Sequence, residues 1–317
     1  MELDRLAREL IRSLRRGRSQ TAFSRRLGYS TNVVHTWEAG RRHPVASNFL
    51  HAAARSGVDV AAGLAEFLGG DSGLALPGPG SDQLVVELLR ALRGDFRIGT
   101  LARAVGATRL TVTRWLRGES EPRLPQLLQL VRVTTQRLLD FVAIFADPGS
   151  LASTSSAWRD LQAQLRVAYD LPWSHAVLRA LELSDYRGLP RHEPGFIARK
   201  LGVSLETERE AIEALAMAHQ IRRASGKWTV ARVLTVDTRP DPDKNLALKR
   251  HWAQVGIDRL GGEGLFSYNL FSISEEHYAR LQALHRAYFE QMRAIVAESR
   301  RSDRVVLANV QLFSLAR

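Results

Sequence analysis

Apolar residues in the first segment of the chain fall at Leu3, Leu6, Leu10, Ile11 and Leu14, the three-to-four spacing of one buried helix face. Gly17-Arg18-Ser19 breaks that pattern. Short helices are predicted over 20–27 and 31–38, joined by Gly28-Tyr29-Ser30, with further helices near 46–56 and 59–68. The same succession returns over 82–145. Its last stretch, LPQLLQLVRVTTQRLLDFVAIF (124–145), is almost wholly apolar on one side. That exceeds the need of one small domain, so this face is expected to meet the partner repeat, a second chain or the C-terminal half. From Trp158 the pattern changes. Helices are predicted at 158–169, 174–184, 194–201 and 205–218, then a hairpin over 219–230 turning at Ser225-Gly226. Beyond DTRPDPDK (237–244) follow a helix at 245–259, a strand at 265–273, a long helix at 275–299 and a strand at 304–315. GGDSGLALPGPGS (69–81) and DPGSLASTSS (147–156) have linker composition.

The expected fold class is mainly α. Two tandem helix-turn-helix domains (1–68 and 82–145) precede a winged-helix-like unit (158–236) and a small α+β C-terminal domain (244–317) suited to dimerisation or sensing. The first two units form an internal repeat. Gly28, Trp37, Gly40 and Pro44 return as Gly106, Trp115, Gly118 and Pro122, each 78 residues on. A glycine between the paired helices suits a turn that needs positive φ or close backbone approach. On a helical wheel Val34 and Trp37 share one side, while Asn32, His35 and Thr36 share the other, with Thr31 at the flank. In the second copy Val112 and Trp115 anchor, and Leu110, Thr113 and Arg114 face out beside Arg109.

Composition narrows the chemistry. The 317 residues contain no cysteine, which removes disulfides, zinc ribbons, thiolate nucleophiles and iron–sulfur clusters. No apolar run is long enough for a membrane span, and charges interrupt the N-terminal apolar stretches, so no signal peptide is expected there. A cytoplasmic protein is expected. The net charge of +12 favours a polyanionic partner. Residues 1–145 hold 21 basic against 13 acidic residues, so the excess is densest where the repeat lies.

The outward residues suit the reading of duplex DNA. Arginine bonds a guanine edge, asparagine an adenine edge, and threonine a base or a thymine methyl. Arg41, Arg42, Arg117 and Arg123 follow the two recognition helices, where phosphates are commonly met. Gln20 opens the first scaffold helix within reach of a phosphate or a base. SQTAFSRRLGYSTNVVHTWEAGRRHP resembles the Cro/repressor helix-turn-helix, or xenobiotic-response-element, family. Gln20, Ser24, Leu27-Gly28, Trp37-Glu38, Gly40 and Pro44 stand at that family's pattern positions. The second copy keeps Ala102, Val105-Gly106, Trp115, Gly118 and Pro122, and departs where Ile98 replaces the glutamine and Leu116 the glutamate. The resemblance covers about residues 1–145 and implies sequence-specific binding of double-stranded DNA.

The winged-helix-like unit reads differently. Its candidate recognition helix carries Glu206, Glu208, Glu210 and Glu213, and carboxylates facing phosphates repel. A structural or dimerising role is expected there. Residues 158–317 resemble a bacterial domain of unknown function typified by the Fibrobacter paralogous family. The resemblance rests on GKWTV, FSISEEHY and VVLANVQLFSL, with Ser314 where that family closes on proline. Family members often carry an N-terminal helix-turn-helix, as regulators do. No phosphate-binding Gly-rich loop, HExxH or nucleophile–base arrangement is present, and His192-Glu193-Pro194 lacks the downstream cysteines of a zinc deaminase. His175, His219 and His251 read as surface or half-buried residues. No enzyme activity, metal or cofactor is expected. Phe266, Tyr268, Phe271, Tyr278, Tyr288, Phe289 and Phe313 read as core, with a small-molecule or protein effector pocket as the alternative.

The expected function is a transcriptional regulator, repressing rather than activating, that pairs as a homodimer through its C-terminal half. Its two motifs, differing in recognition residues, would read unlike half-sites. A 13-residue linker spans at most ~40 Å at ~3.3 Å per residue, enough for one DNA turn of ~34 Å. The alternative is an interaction scaffold or antitoxin-like regulator in which one helix-turn-helix is a docking surface.

Overall fold

The computed structural model describes residues 2–69, 77–78, 81, 83–231, 237–239, 241–299 and 301–315. Most of the 69–81 linker, and the end of the winged-helix-like unit at 232–236, lie outside the described residues. The chain is mainly helical and divides into two compact units, 1–162 and 163–317, with the boundary inside one helix, Ser155–Asp170.

The first unit opens with α1 (Leu3–Arg15), α2 (Gln20–Arg26), α3 (Val33–Glu38), α4 (Ala46–Arg55) and α5 (Val60–Gly69). The repeat supplies α6 (Gln83–Arg93), α7 (Ile98–Ala104), α8 (Arg109–Arg117), α9 (Leu124–Thr135) and α10 (Leu138–Ala143). The apolar face predicted for α1 is buried at Leu6, Leu10, Ile11 and Leu14 and half-buried at Leu3. Ser19 starts α2 by accepting the N–H of Ala22, satisfying one free helix-end donor. Gly28 and Gly106 hold φ of +88° and +65° between the paired helices, a region side chains disfavour.

The two repeats do not stand apart as beads on a linker. One apolar core runs from Leu6 through Trp37, Leu50 and Leu88 to Trp115, Val131 and Phe141. The apolar excess at 124–145 is what joins them. Phe141 packs on Phe67 and Phe145, and Phe145 on Phe49, with ring centroids 4.7–5.5 Å apart. α5 and α10 approach so closely at Gly63 that a Cβ there would sit 2.6 Å from the Ile144 side chain.

The join is reciprocal. Val45 and Arg123 form an antiparallel bridge, and they are equivalent residues, 78 apart. The Ala46 N–H donates to the Pro122 carbonyl and the Leu124 N–H to the Pro44 carbonyl, both at 2.9 Å. α1 packs on α9 as α6 packs on α4, while α4 meets its own equivalent α9, and α5 meets α10. Equivalent surfaces meeting in this mutual way define an isologous, two-fold contact. The first unit is therefore a pseudo-dimer inside one chain.

In the second unit α11 (Ser155–Asp170) leads to α12 (Trp173–Ala180), α13 (Ser184–Gly188), α14 (Phe196–Leu201) and α15 (Leu205–Met217). The hairpin β1 (Ile221–Ala224) and β2 (Lys227–Val230) follows, turning at Ser225-Gly226 with both φ positive. Val177, Leu178, Tyr186, Ile197, Leu215 and Ile221 form its core. α16 (Pro242–Asp258) and α17 (Glu275–Glu298) complete the chain. Among the described residues no helix is long and apolar enough to cross a membrane.

Two expectations fail here. Residues 265–273 and 304–315 form no strands, and β1–β2 is the one sheet among the described residues. A strand needs a partner ladder, and β propensity alone does not supply one. The aromatic residues expected in the core or around a pocket are largely outside: Phe266, Tyr268, Phe271, Tyr288 and Phe313 are exposed, and Tyr278 and Phe289 half-buried.

Candidate nucleic-acid interface

The two recognition helices are seated as their apolar faces require. Val34 and Trp37 of α3, and Val112 and Trp115 of α8, are buried, and Tyr29 meets Trp37 edge-on. In the first motif the buried Ser24 ties turn to helix. Its Oγ accepts the N–H of Val34 at 3.1 Å and lies 2.8 Å from the Gln20 carbonyl and 3.2 Å from Asn32 Oδ1. Asn32 Oδ1 also accepts the N–H of His35, capping α3. This leaves the amide nitrogen of the exposed Asn32 for another partner.

A polar chain then sets His35. The Arg15 guanidinium donates to buried Glu38 at 2.8 Å, and Glu38 accepts from the amide nitrogen of Gln20 at 2.8 Å. That bond turns the amide oxygen of Gln20 toward His35 Nδ1, 3.2 Å away. An oxygen only accepts, so this contact calls for Nδ1 as the donor and leaves Nε2 on the outer side of the ring for another partner. Gln20 is thus a positioning residue for the exposed His35. Thr31, Arg41 and Arg42 are exposed and Thr36 half-buried, its carbonyl accepting the N–H groups of Arg41 and Arg42.

The second motif is built otherwise. Thr108 caps α8 through the N–H of Thr111, so α8 begins earlier in the repeat and runs nine residues against six in α3. The Arg109 side chain lies on α7, where a Cβ at Gly99 would meet its Nε at 2.9 Å. Thr113 Oγ1 donates to the Arg109 carbonyl at 3.0 Å. Arg114 and Arg117 are exposed, each near Glu119, at 3.9 and 3.7 Å. Exposed pairs of this kind contribute ~0–1 kcal/mol, weak enough for a phosphate to displace. Leu110 is 61% exposed. Arg123 points across the pseudo-dyad, donating to the His43 carbonyl at 2.8 Å, which gives it a structural task between the repeats.

Sequence reasoning missed Glu119, which holds two of the named arginines, and the Arg15–Glu38 contact between residues 23 apart. The first sits within five residues of its partners and was legible as a local charge pair. The second leaves no periodic signal.

In the second unit Glu208 does not face outward with Glu206, Glu210 and Glu213. It is 1% exposed and accepts the N–H groups of Gly195 and Ala198 at 3.1 and 2.6 Å, at the start of α14. A carboxylate there meets the free donors of the helix end. His192 lies between it and the buried Tyr186, with Nδ1 3.1 Å from the hydroxyl and Nε2 3.9 Å from Glu208. The Trp228 N–H donates to that same hydroxyl at 3.2 Å, fastening the hairpin to α13. Burial holds the His192 pKa below its usual 6.5, with Glu208 opposing the shift and Arg223 adding to it. Among the described residues no group of three or more His, Asp or Glu is placed to hold a metal ion.

The family model of a domain of unknown function, DUF4423, matches residues 152–315. No curated protein and no solved structure matches the chain.

Proposed function

The chain belongs to the DUF4423 family, a domain of unknown function, and from that premise we propose that it is a non-catalytic, cytoplasmic regulator of transcription. It binds double-stranded DNA through its first unit, whose motifs are of the Cro/repressor kind. The observation that supports this is the pair of core-anchored helices, α3 and α8, each with an exposed polar or basic outer face. Thr31, Asn32 and His35 form one face, Arg109 and Arg114 the other, and Arg41, Arg42 and Arg117 follow as phosphate contacts. Repression follows if occupancy of a promoter blocks polymerase. The test is binding of the full-length protein to labelled duplex DNA over a series of salt concentrations. Log affinity is expected to fall steeply against log salt, by ~0.9 for each phosphate neutralised. Absent or salt-insensitive binding would leave the two helices as protein-docking surfaces.

A second copy of the chain is the proposed occupant of the C-terminal surface. Among the described residues, 18 of the 22 large apolar side chains that stand exposed lie between Leu246 and Leu315. Their exposures run from 43 to 104%, and exposed apolar surface on this scale marks an interaction site. Sedimentation across a concentration series is expected to show a dimer. A monomer at all concentrations would assign the surface to an effector protein instead.

A further inference from the structure

We infer that one chain alone is a complete two-headed DNA reader, taking two unlike half-sites in inverted orientation at one fixed spacing. The inference rests on the DNA-binding reading and adds to it the geometry of the target. The pairing of residues 44–46 with 122–124 places a pseudo-dyad between Val45 and Arg123, and the reciprocal packing of α1 on α9 and α6 on α4 extends it through the unit. A two-fold operation carries α3 onto α8 and reverses the part of its direction that is perpendicular to the dyad. The two strands of B-DNA are related by local dyads, so heads related by a two-fold make equivalent backbone contacts only on half-sites that run in opposite senses.

The same pairing limits the spacing. α3 ends seven residues before Val45 and α8 ends six before Arg123. At ~3.3 Å per residue, with ~5 Å across the bridge itself, the near ends of the recognition helices lie within roughly 48 Å of one another, which admits half-sites one turn apart (~34 Å) and excludes two turns (~68 Å). The shared core, with Phe49, Phe67, Phe141 and Phe145 stacked between repeats, leaves no hinge by which one head could swing to another register.

The half-sites differ because the heads differ. α3 presents Asn32 and His35, whereas α8 presents Leu110 and Arg114 at equivalent and neighbouring positions. The target is therefore a broken palindrome: symmetric in its phosphate geometry and asymmetric in its bases.

The experiment selects sites from a random duplex library with the full-length protein at near-physiological salt. The enriched site is then resynthesised in two forms. One has the second half-site reversed into a direct repeat, and the other has the spacer lengthened by five base pairs, half a turn. Each change is expected to weaken binding at least tenfold. Equal affinity for the direct repeat, or tolerance of the longer spacer, would overturn the fixed pseudo-dyad as the reading geometry while leaving DNA recognition intact. No enriched site together with salt-insensitive binding would remove the DNA reading itself, and this inference with it.

Discussion

Gln20 and Glu38 meet side chain to side chain at 2.8 Å in the first repeat, and the same two positions of the second hold Ile98 and Leu116, both packed against the core. The two departures of the second copy from its family pattern are thus one change, a hydrogen-bonded pair exchanged for an apolar one. Replacing either partner alone strands a polar group: Gln20→Ile leaves Glu38 short of a donor, and Glu38→Leu leaves Gln20 short of an acceptor. Each is expected to cost ~1–3 kcal/mol. The double variant should cost less than their sum, with a coupling of about 0.5–3 kcal/mol, read from denaturant unfolding of the four-member cycle. Strictly additive losses would show that the pair does not act as a unit.

Because the repeats share one core, damage to one should be felt in the other. Trp115 is 3% exposed and lies in the same cluster as Trp37. Trp115→Ala should destabilise the first unit by ~3–5 kcal/mol, as for other buried aromatics. Hydrogen exchange is the informative measurement: amides of α1 and α3 should lose protection together with those of α6 and α8. Full protection of α1 and α3 in this variant would mean that the repeats fold separately.

Much of the first unit was legible in the sequence, because its signals are local. Helix faces such as Leu6–Leu10–Leu14 repeat at the period of the helix, and Gly28 and Gly106 mark turns that need positive φ. The surplus of apolar residues at 124–145 even announced a contact, but three partners satisfied it equally. What selected the partner repeat is backbone pairing at Val45 and Arg123, and backbone hydrogen bonds leave no side-chain pattern to read. The inward turn of Glu208 was hidden for a related reason: its partners are N–H groups of Gly195 and Ala198, present at any residue. At 265–273 and 304–315 the apolar, β-branched composition suggested strands, yet composition does not say whether a ladder partner exists in the same chain.

Arg114 is the residue of α8 best suited to read a base, being exposed and tethered only loosely to Glu119. Arg114→Ala should weaken binding of the selected site by ~1–3 kcal/mol and relax sequence preference in one half-site while the other keeps its own. Relaxation in both halves, or in neither, would mean that α8 does not read bases.

Glu119 competes with DNA for two arginines, Arg114 and Arg117. Glu119→Gln removes an anion from a face meant for phosphates and frees both guanidinium groups. Affinity for duplex DNA should rise by the worth of such exposed pairs, ~0.5–1 kcal/mol, a two- to fivefold gain that shrinks at high salt. Weaker binding in this variant would show that Glu119 holds the arginines in a required pose.

His192 gives the second unit an acid limit. Its side chain is 14% exposed, and the charged or titratable groups about it are Glu208, Tyr186 and Arg223. Burial lowers its pKa below 6.5, so the unfolded chain binds the proton more readily than the folded one. Stability from this group is complete above ~6.5 and falls as pH drops through the window beneath it, by at most ~1.4 kcal/mol per pH unit for one proton. His251, beside Trp173 and Trp252, is shifted the same way by burial and adds a loss of the same sign. Protection of α12 and α15 amides should therefore decline between pH 7.5 and 5, and His192→Gln should reduce that decline although it weakens the unit at neutral pH. An unchanged pH slope in the variant would assign the acid limit to His251 and to His175 of α12, whose pKa is lowered by burial and by Arg179.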